Sequence, residues 1–202
     1  MHTAEHTLQQ KYPKDKFEVI VIGDSLKKET VQAFSTMPLR LVEVHFENST
    51  KGKSINAALE AVRGETYDYA VILDIDNLVE QNFLEKMNSA LQKGQKVVQA
   101  HRLAKNSETK FSVLDGVSEE INNHIFRKGH KVLGLSAALI GSGKAVKYDF
   151  FEEIMSKITA IGGFDKQMEV LIISQKVTID YAHEILVYDE KVQLPEVFQN
   201  QR

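Results

Sequence analysis

Tyr69-Ala70-Val71-Ile72-Leu73, followed by Asp74-Ile75-Asp76, is the most telling stretch of this chain. The five apolar residues, entered from Gly64 and left through Asn77, have the length and aliphatic character of a buried strand. Two carboxylates at positions i and i+2 after such a strand lie where it leaves the sheet. That is the carboxyl edge, at which open α/β sheets bind ligands. Neighbouring carboxylates repel, and a divalent cation relieves the cost. Mg²⁺ or Mn²⁺ takes such oxygen ligands and leaves positions for substrate phosphates, so the pair suggests a metal and diphosphate site. The same residues equally suit a solvated strand-to-helix turn with Asp76 near an N-cap.

Outward from this point, strand and helix patterns alternate. Leu8-Gln9-Gln10-Lys11 reads as the end of a helix stopped near Pro13. Phe17 to Ile22 is a strand running into Gly23-Asp24-Ser25, Lys28 to Phe34 a short helix, and Leu41 to Phe46 a half-buried strand. Ser54 to Val62 is helical, with Ile55, Ala58, Leu59 and Val62 on one face. Phe83, Leu84, Met87 and Leu91 give the next helix its apolar stripe, Gly94 closes it, and Val97 and Val98 start another strand. Beyond residue 100 the rhythm changes. Leu114, Val117, Ile121 and Ile125 predict a long amphipathic helix over 111–128. Leu135 to Ile140 is an apolar run broken by Gly141-Ser142-Gly143. Gly162-Gly163-Phe164-Asp165 precedes a helix containing Met168, Leu171 and Ile172. Thr178 to Tyr181 and Ile185 to Tyr188 read as two short strands. The pattern predicts an α/β fold, Rossmann-like, with a mostly parallel sheet and helices on both faces. Without repeat or linker, residues 1–202 read as a single domain.

Composition narrows the function. The 202 residues carry 43% apolar and 26% charged side chains, ordinary for a globular domain. A net charge of −3 gives no electrostatic case for nucleic acid. The absence of cysteine excludes disulfides and thiolate metal sites. No apolar run reaches the roughly 18 residues of a membrane span. His101, His124, His130 and His183 lack the spacing of a zinc site.

Four further features stand in line with the acid pair. Asp24 ends the first strand as Asp74 and Asp76 follow theirs, and parallel neighbours would bring these acids to one sheet edge. Lys51-Gly52-Lys53-Ser54-Ile55-Asn56-Ala57-Ala58-Leu59 gives a basic, glycine-containing helix start, whose lysines and first amides can face a diphosphate. Asp165 opens a helix after two glycines. Gln201-Arg202 ends the chain. Each has a plainer reading: Asp24 as a turn former, the lysines as solvated charges, Asp165 as an N-cap, and Gly141-Ser142-Gly143 as a loop.

Taken together, these residues resemble the membrane-associated, cellulose-synthase-like branch of glycosyltransferase family 2, with its GT-A fold and its pattern D, DxD, D, QxxRW. Asp24 matches the first aspartate, which in the family contacts the base of a nucleotide sugar. The 51–59 segment, including Lys51, Lys53 and Asn56, resembles a K-x-G-N-x-N-A-A-L substrate-binding stretch. Asp74 and Asp76 match the DxD, the second acid holding Mg²⁺ or Mn²⁺. Asp165 takes the place of the catalytic aspartate, although Phe164 precedes it where the family has Glu. Ser142 lies in the stretch that borders the acceptor, and Gln201-Arg202 resembles the opening of QxxRW. The resemblance implies an inverting hexosyltransferase of polysaccharide biosynthesis. It would move a sugar from a nucleotide-diphosphate donor, a UDP-sugar, to a saccharide or lipid-linked acceptor. It also implies that the family's first strand lies before residue 1 and its membrane helices after residue 202. The full-length protein would then be membrane-anchored at the cytoplasmic face of the bacterial inner membrane. The 202 residues alone would be soluble, catalytically inactive and prone to self-associate through an unpaired strand edge. Two other classes share the residue pattern: a nucleotidyltransferase, and a non-catalytic nucleotide-sugar-binding module.

Overall fold

Residues 97–104 form the spine of the fold, strand β5 (Val97–Ala104). Side chains alternate along a strand, so Val97 enters one apolar cluster while Val98 and Ala100 enter another. The computed structural model describes residues 2–194. Around β5 stand β3 (Tyr69–Ile72), β4 (Leu78–Val79), β6 (Lys144–Lys147) and β7 (Ile179–Asp189), in the order β3-β6-β5-β7-β4. β7 runs parallel to β5. β6 lies antiparallel between β3 and β5, and β4 is antiparallel to β7. Thus β3, β5 and β7 share one direction and β6 and β4 oppose it.

Helices cover both faces, as the alternation of the sequence requires. On one side α3 (Lys51–Ala61), α7 (Tyr148–Met155) and α8 (Phe164–Ser174) bring Ile55, Phe151, Ile154, Met168 and Ile172 onto Val97, Val146 and Ile179. On the other, α4 (Phe83–Leu91) lays Phe83, Met87 and Leu91 on Val98, Ala145 and Ile185. Phe83 is fully buried, and truncating such a side chain to Ala costs about 3–5 kcal/mol.

The remaining strands, β1 (Ile20–Asp24) and β2 (Arg40–Val44), pair with each other in parallel as a separate two-stranded sheet, with α1 (His2–Leu8) and α2 (Lys28–Phe34) nearby in sequence. The expected neighbourhood of the Asp24 and Asp74 strands is therefore corrected. Among the described residues β1 pairs only with β2, and β3 only with β6. Helix α3, packed on β1, β2 and α7, joins the two parts.

Three other expectations change. Strand β6 and helix α7 directly after it stand where no element was expected; β6 was hidden because Lys144 is a charged residue at a fully buried strand position. The two short strands near residues 180 and 186 are one strand, β7, with an irregular register opposite Ala100 and His101. The helix over 111–128 exists as α5 (Lys110–Asn122), continued by a π-helical turn, Asn123–Gly129, and by α6 (His130–Val132). Thr109 caps it, accepting from the Ser112 amide while the Ser112 hydroxyl accepts from the Thr109 amide. Its apolar stripe faces outward, however: Leu114, Val117, Ile121 and Ile125 are each about half exposed.

Candidate active site

The chain leaves β3 through a tight turn in which the Asn77 amide donates to the Asp74 carbonyl at 3.0 Å. The buried Asn77 side chain braces the turn from inside. Its Oδ1 accepts from the Asp74 amide at 3.0 Å, and its Nδ2 donates to Asp76 Oδ1 at 3.1 Å and to Asp189 Oδ1 at 2.9 Å. Arg102 and Lys191 donate to the other oxygen of Asp189. Burial, then the charges of Asp189 and Asp74, push the Asp76 carboxyl above the usual carboxylate range.

Asp165 approaches from the other end of the chain. Gly163, in the left-handed region at φ 66°, turns the backbone into α8 and places Asp165 in its first turn. The partial positive charge of a helix start favours a carboxylate there. Phe164, buried in the core, anchors the turn. From β6, fully buried Lys144 extends Nζ to the Ile140 carbonyl at 3.0 Å and to Asp165 Oδ1 at 3.3 Å. Burial lowers this ammonium to about 8, against the opposing pull of Asp165.

Gly141 lies where the two acids converge. A β-carbon on it would stand 3.3 Å from Asp165 Oδ2 and 3.7 Å from Asp74 Oδ2. Lys51, in the first turn of α3, donates to Asp74 Oδ1 and, at 2.7 Å, to the Gly141 carbonyl. Thr50 caps that helix by accepting from the Lys53 amide at 3.2 Å. The fold thus gathers Asp74, Asp165, Lys51 and Lys144 about one glycine, from β3, α8, α3 and β6. Asp74, Asp165 and Lys51 remain about one third exposed and so reach solvent.

Other expected residues stand apart from this cluster. Asp24 accepts from the Ser25 hydroxyl at 2.8 Å and from the Phe46 amide at 3.3 Å. Hydrogen bonds from Ser49 and Ser25 hold its carboxyl below the usual range. Lys53 turns toward the same loop, donating to the Asn48 carbonyl at 2.7 Å and lying over the Phe46 ring. Asn56 is exposed on α3. Ser142 lies beneath the site rather than open to it. It is fully buried, its hydroxyl accepting from Arg102 at 3.4 Å and its carbonyl from Gln99 at 3.0 Å. Gln201 and Arg202 lie outside the described residues. Sequence reasoning missed Asn77, Lys144, Arg102 and Asp189. The only signal for Asn77 was its place directly after the acid pair, and β7 gave none for Asp189.

Among the described residues no three or more His, Asp or Glu side chains form a ready-made metal cage. The turn nonetheless fits a cation in character. Asp76 sits among acids that raise the cost of its charge, and a divalent ion that keeps open positions for phosphate needs only one or two carboxylates.

Fold and site together define a GT-A glycosyltransferase architecture. The sequence model of Glycosyl transferase family 2 matches residues 2–155, and the chain belongs to that family. The match includes Asp24, Lys51, Asp74 and Asp76 and stops short of Asp165. A similar solved structure is the mannosyltransferase PcManGT from Pyrobaculum calidifontis, in complex with GDP-Man and Mn²⁺. It has a TM-score of 0.66 and 18% identity over 93% of this chain and 52% of that one. Another is S. aureus TarS 1–349 in complex with UDP-GlcNAc, with a TM-score of 0.61 and 14% identity over 96% of this chain and 55% of that one. The chain thus spans about half the length of these structures. No curated protein sequence matches it.

Proposed function

We propose that this chain is the catalytic domain of an inverting glycosyltransferase that takes a nucleoside-diphosphate sugar, a UDP-sugar, and glycosylates a hydroxyl of a saccharide or lipid-linked acceptor. The observation that carries the reading is the meeting of Asp74 and Asp165 around Gly141, each acid already paired with a lysine. A donor and an acceptor need such a pair of sites side by side, one for the leaving diphosphate and one for the incoming hydroxyl. Asp165 is the general base. Its carboxylate takes the acceptor proton while the acceptor oxygen bonds to the anomeric carbon. The bond from that carbon to the diphosphate oxygen breaks, and the electron pair leaves with the diphosphate. One displacement gives one inversion. Lys144, held to Asp165 and to the Ile140 carbonyl, fixes the base in place. Lys51 brings a positive charge to the donor side. Mn²⁺ or Mg²⁺, held by Asp76 with Asp74, would neutralise charge on the leaving diphosphate. Asp24 and Lys53 would serve the nucleotide end, with Asn56 beside them. The acceptor would be met at the cytoplasmic face of a bacterial inner membrane.

The test is Asp165→Asn in the complete gene product. Transfer should fall by about 10²–10⁴-fold, while UDP binding measured by calorimetry stays within a few-fold, since a base acts on the acceptor proton. Transfer close to wild type would assign the base elsewhere. Metal-dependent UDP binding without transfer in the wild type would mark a binding module.

A further inference from the structure

A strand of only two residues holds the acid turn. β4 pairs antiparallel with the far end of β7, Leu78 opposite Tyr188. One residue further out, Asn77 therefore meets Asp189. Both are buried. The Asn77 amide donates to Asp76 Oδ1 and to Asp189 Oδ1, so two carboxylate oxygens lie within 3.1 Å of one nitrogen. Acids brought this close raise the cost of each other's charge, and a cation relieves it.

Asp189 is firmly anchored. Just beyond β7 the chain is fastened to the end of β5. The Lys105 amide donates to the Asp189 carbonyl at 2.8 Å, the Lys191 amide to Asn106 Oδ1 at 2.6 Å, and Asn106 Nδ2 to the Lys191 carbonyl at 2.9 Å. The second oxygen of Asp189 accepts from Arg102 and Lys191. Glu119 meets these two cations only at 3.9 and 3.7 Å and is paired more closely with Arg127, at 2.9 Å. Asp189 is thus their near counter-ion. Packing alone does not call for such a cluster, because apolar residues fill a buried position as well or better.

We propose that Asp189 is a positioning residue for the metal: it orients the Asp76 carboxylate through Asn77, and its charge offsets Arg102 and Lys191, which would otherwise repel a divalent cation. The inference rests on the glycosyltransferase reading, in which Asp76 holds Mn²⁺ or Mg²⁺. Partners that orient a metal's ligand change its affinity about 10–100-fold when lost.

Mn²⁺ binding by the complete gene product is read from loss of the free-ion signal in electron paramagnetic resonance, with UDP present. Asp189→Asn, which keeps the shape and removes the charge, should weaken Mn²⁺ binding about 10–100-fold. Asn77→Ser keeps a hydroxyl for the Asp74 amide but reaches neither acid, and should weaken it at least tenfold. Lys191→Met breaks the same buried ion pair from the other side. It removes a positive charge, so it should tighten Mn²⁺ binding about threefold. A merely structural network would move Asp189→Asn and Lys191→Met in the same direction. Melting in EDTA shows which variants are folded, and if Asp189→Asn is not, Asn77→Ser and Lys191→Met decide. The proposal is overturned if folded Asp189→Asn or Asn77→Ser binds Mn²⁺ as tightly as wild type, or if Lys191→Met weakens binding. Wild type that takes up no Mn²⁺ in the presence of UDP would instead overturn the metal assignment on which the inference rests.

Discussion

Replacing Lys144 by methionine should make this protein more stable and its chemistry worse. The ammonium is lowered from 10.5 to about 8, chiefly by burial. Retaining the charged form in the fold at neutral pH therefore costs about 3 kcal/mol relative to the unfolded chain. Methionine has a similar length and removes that cost. Against the gain stands the lost hydrogen bond to the Ile140 carbonyl, worth about 1.5 kcal/mol for a charged donor; the pull of Asp165 is already contained in the lowered value. The net expectation is a gain of about 1–2 kcal/mol at pH 7, or roughly 3–6 °C in Tm for a chain of this size. The sign with pH is fixed by linkage. Between pH 8 and 10.5 the unfolded lysine holds a proton that the folded one has released, so wild-type stability rises with pH there. The charging penalty is fully present below pH 8. Urea melts of both proteins at several pH values from 7 to 9.5 should show the methionine variant's advantage shrinking as pH rises. Transfer by the variant should fall, because Asp165 loses the partner that holds it. A variant less stable than wild type at pH 7, or an advantage that does not change with pH, would refute the reasoning.

Other outcomes follow from the same geometry. Asp76→Ala should weaken Mn²⁺-dependent UDP binding at least tenfold by calorimetry, and equal affinity would remove Asp76 from the metal site. Gly141→Ala should lower transfer at least tenfold while changing the urea midpoint little, because its β-carbon would crowd Asp165 at 3.3 Å; unchanged kcat/KM would show that the two acids need not approach so closely. Arg127→Ala should cost about 2–3 kcal/mol by removing the charged partner of Glu119 at 2.9 Å, which keeps the longer contacts to Lys191 and Arg102, and a loss below about 1 kcal/mol would mean that the inward polar face does not orient the 110–132 helix.

The sequence by itself determined the local order of this protein. Apolar runs of strand length and stripes of helical period are contiguous in the chain, so β3, α2 and α4 were legible within a residue or two. The acid pair was legible for the same reason, since Asp74 and Asp76 need only their own strand to be seen. Asp165 could be marked as a helix-start acid, but its convergence with Asp74 depends on β6 and Gly141 lying between them. Lys144 and Asp189 were invisible because their environments are built from distant segments: a buried lysine looks like a surface one until its partners are known. The outward face of the 110–132 helix shows the limit most plainly. Periodicity fixed that one side is apolar and the other polar. Which side turns inward was decided by Arg102 on β5 and Lys191 just beyond β7, whose charges face Glu119, the partner of Arg127. A period carries no direction, and only tertiary contacts supply one.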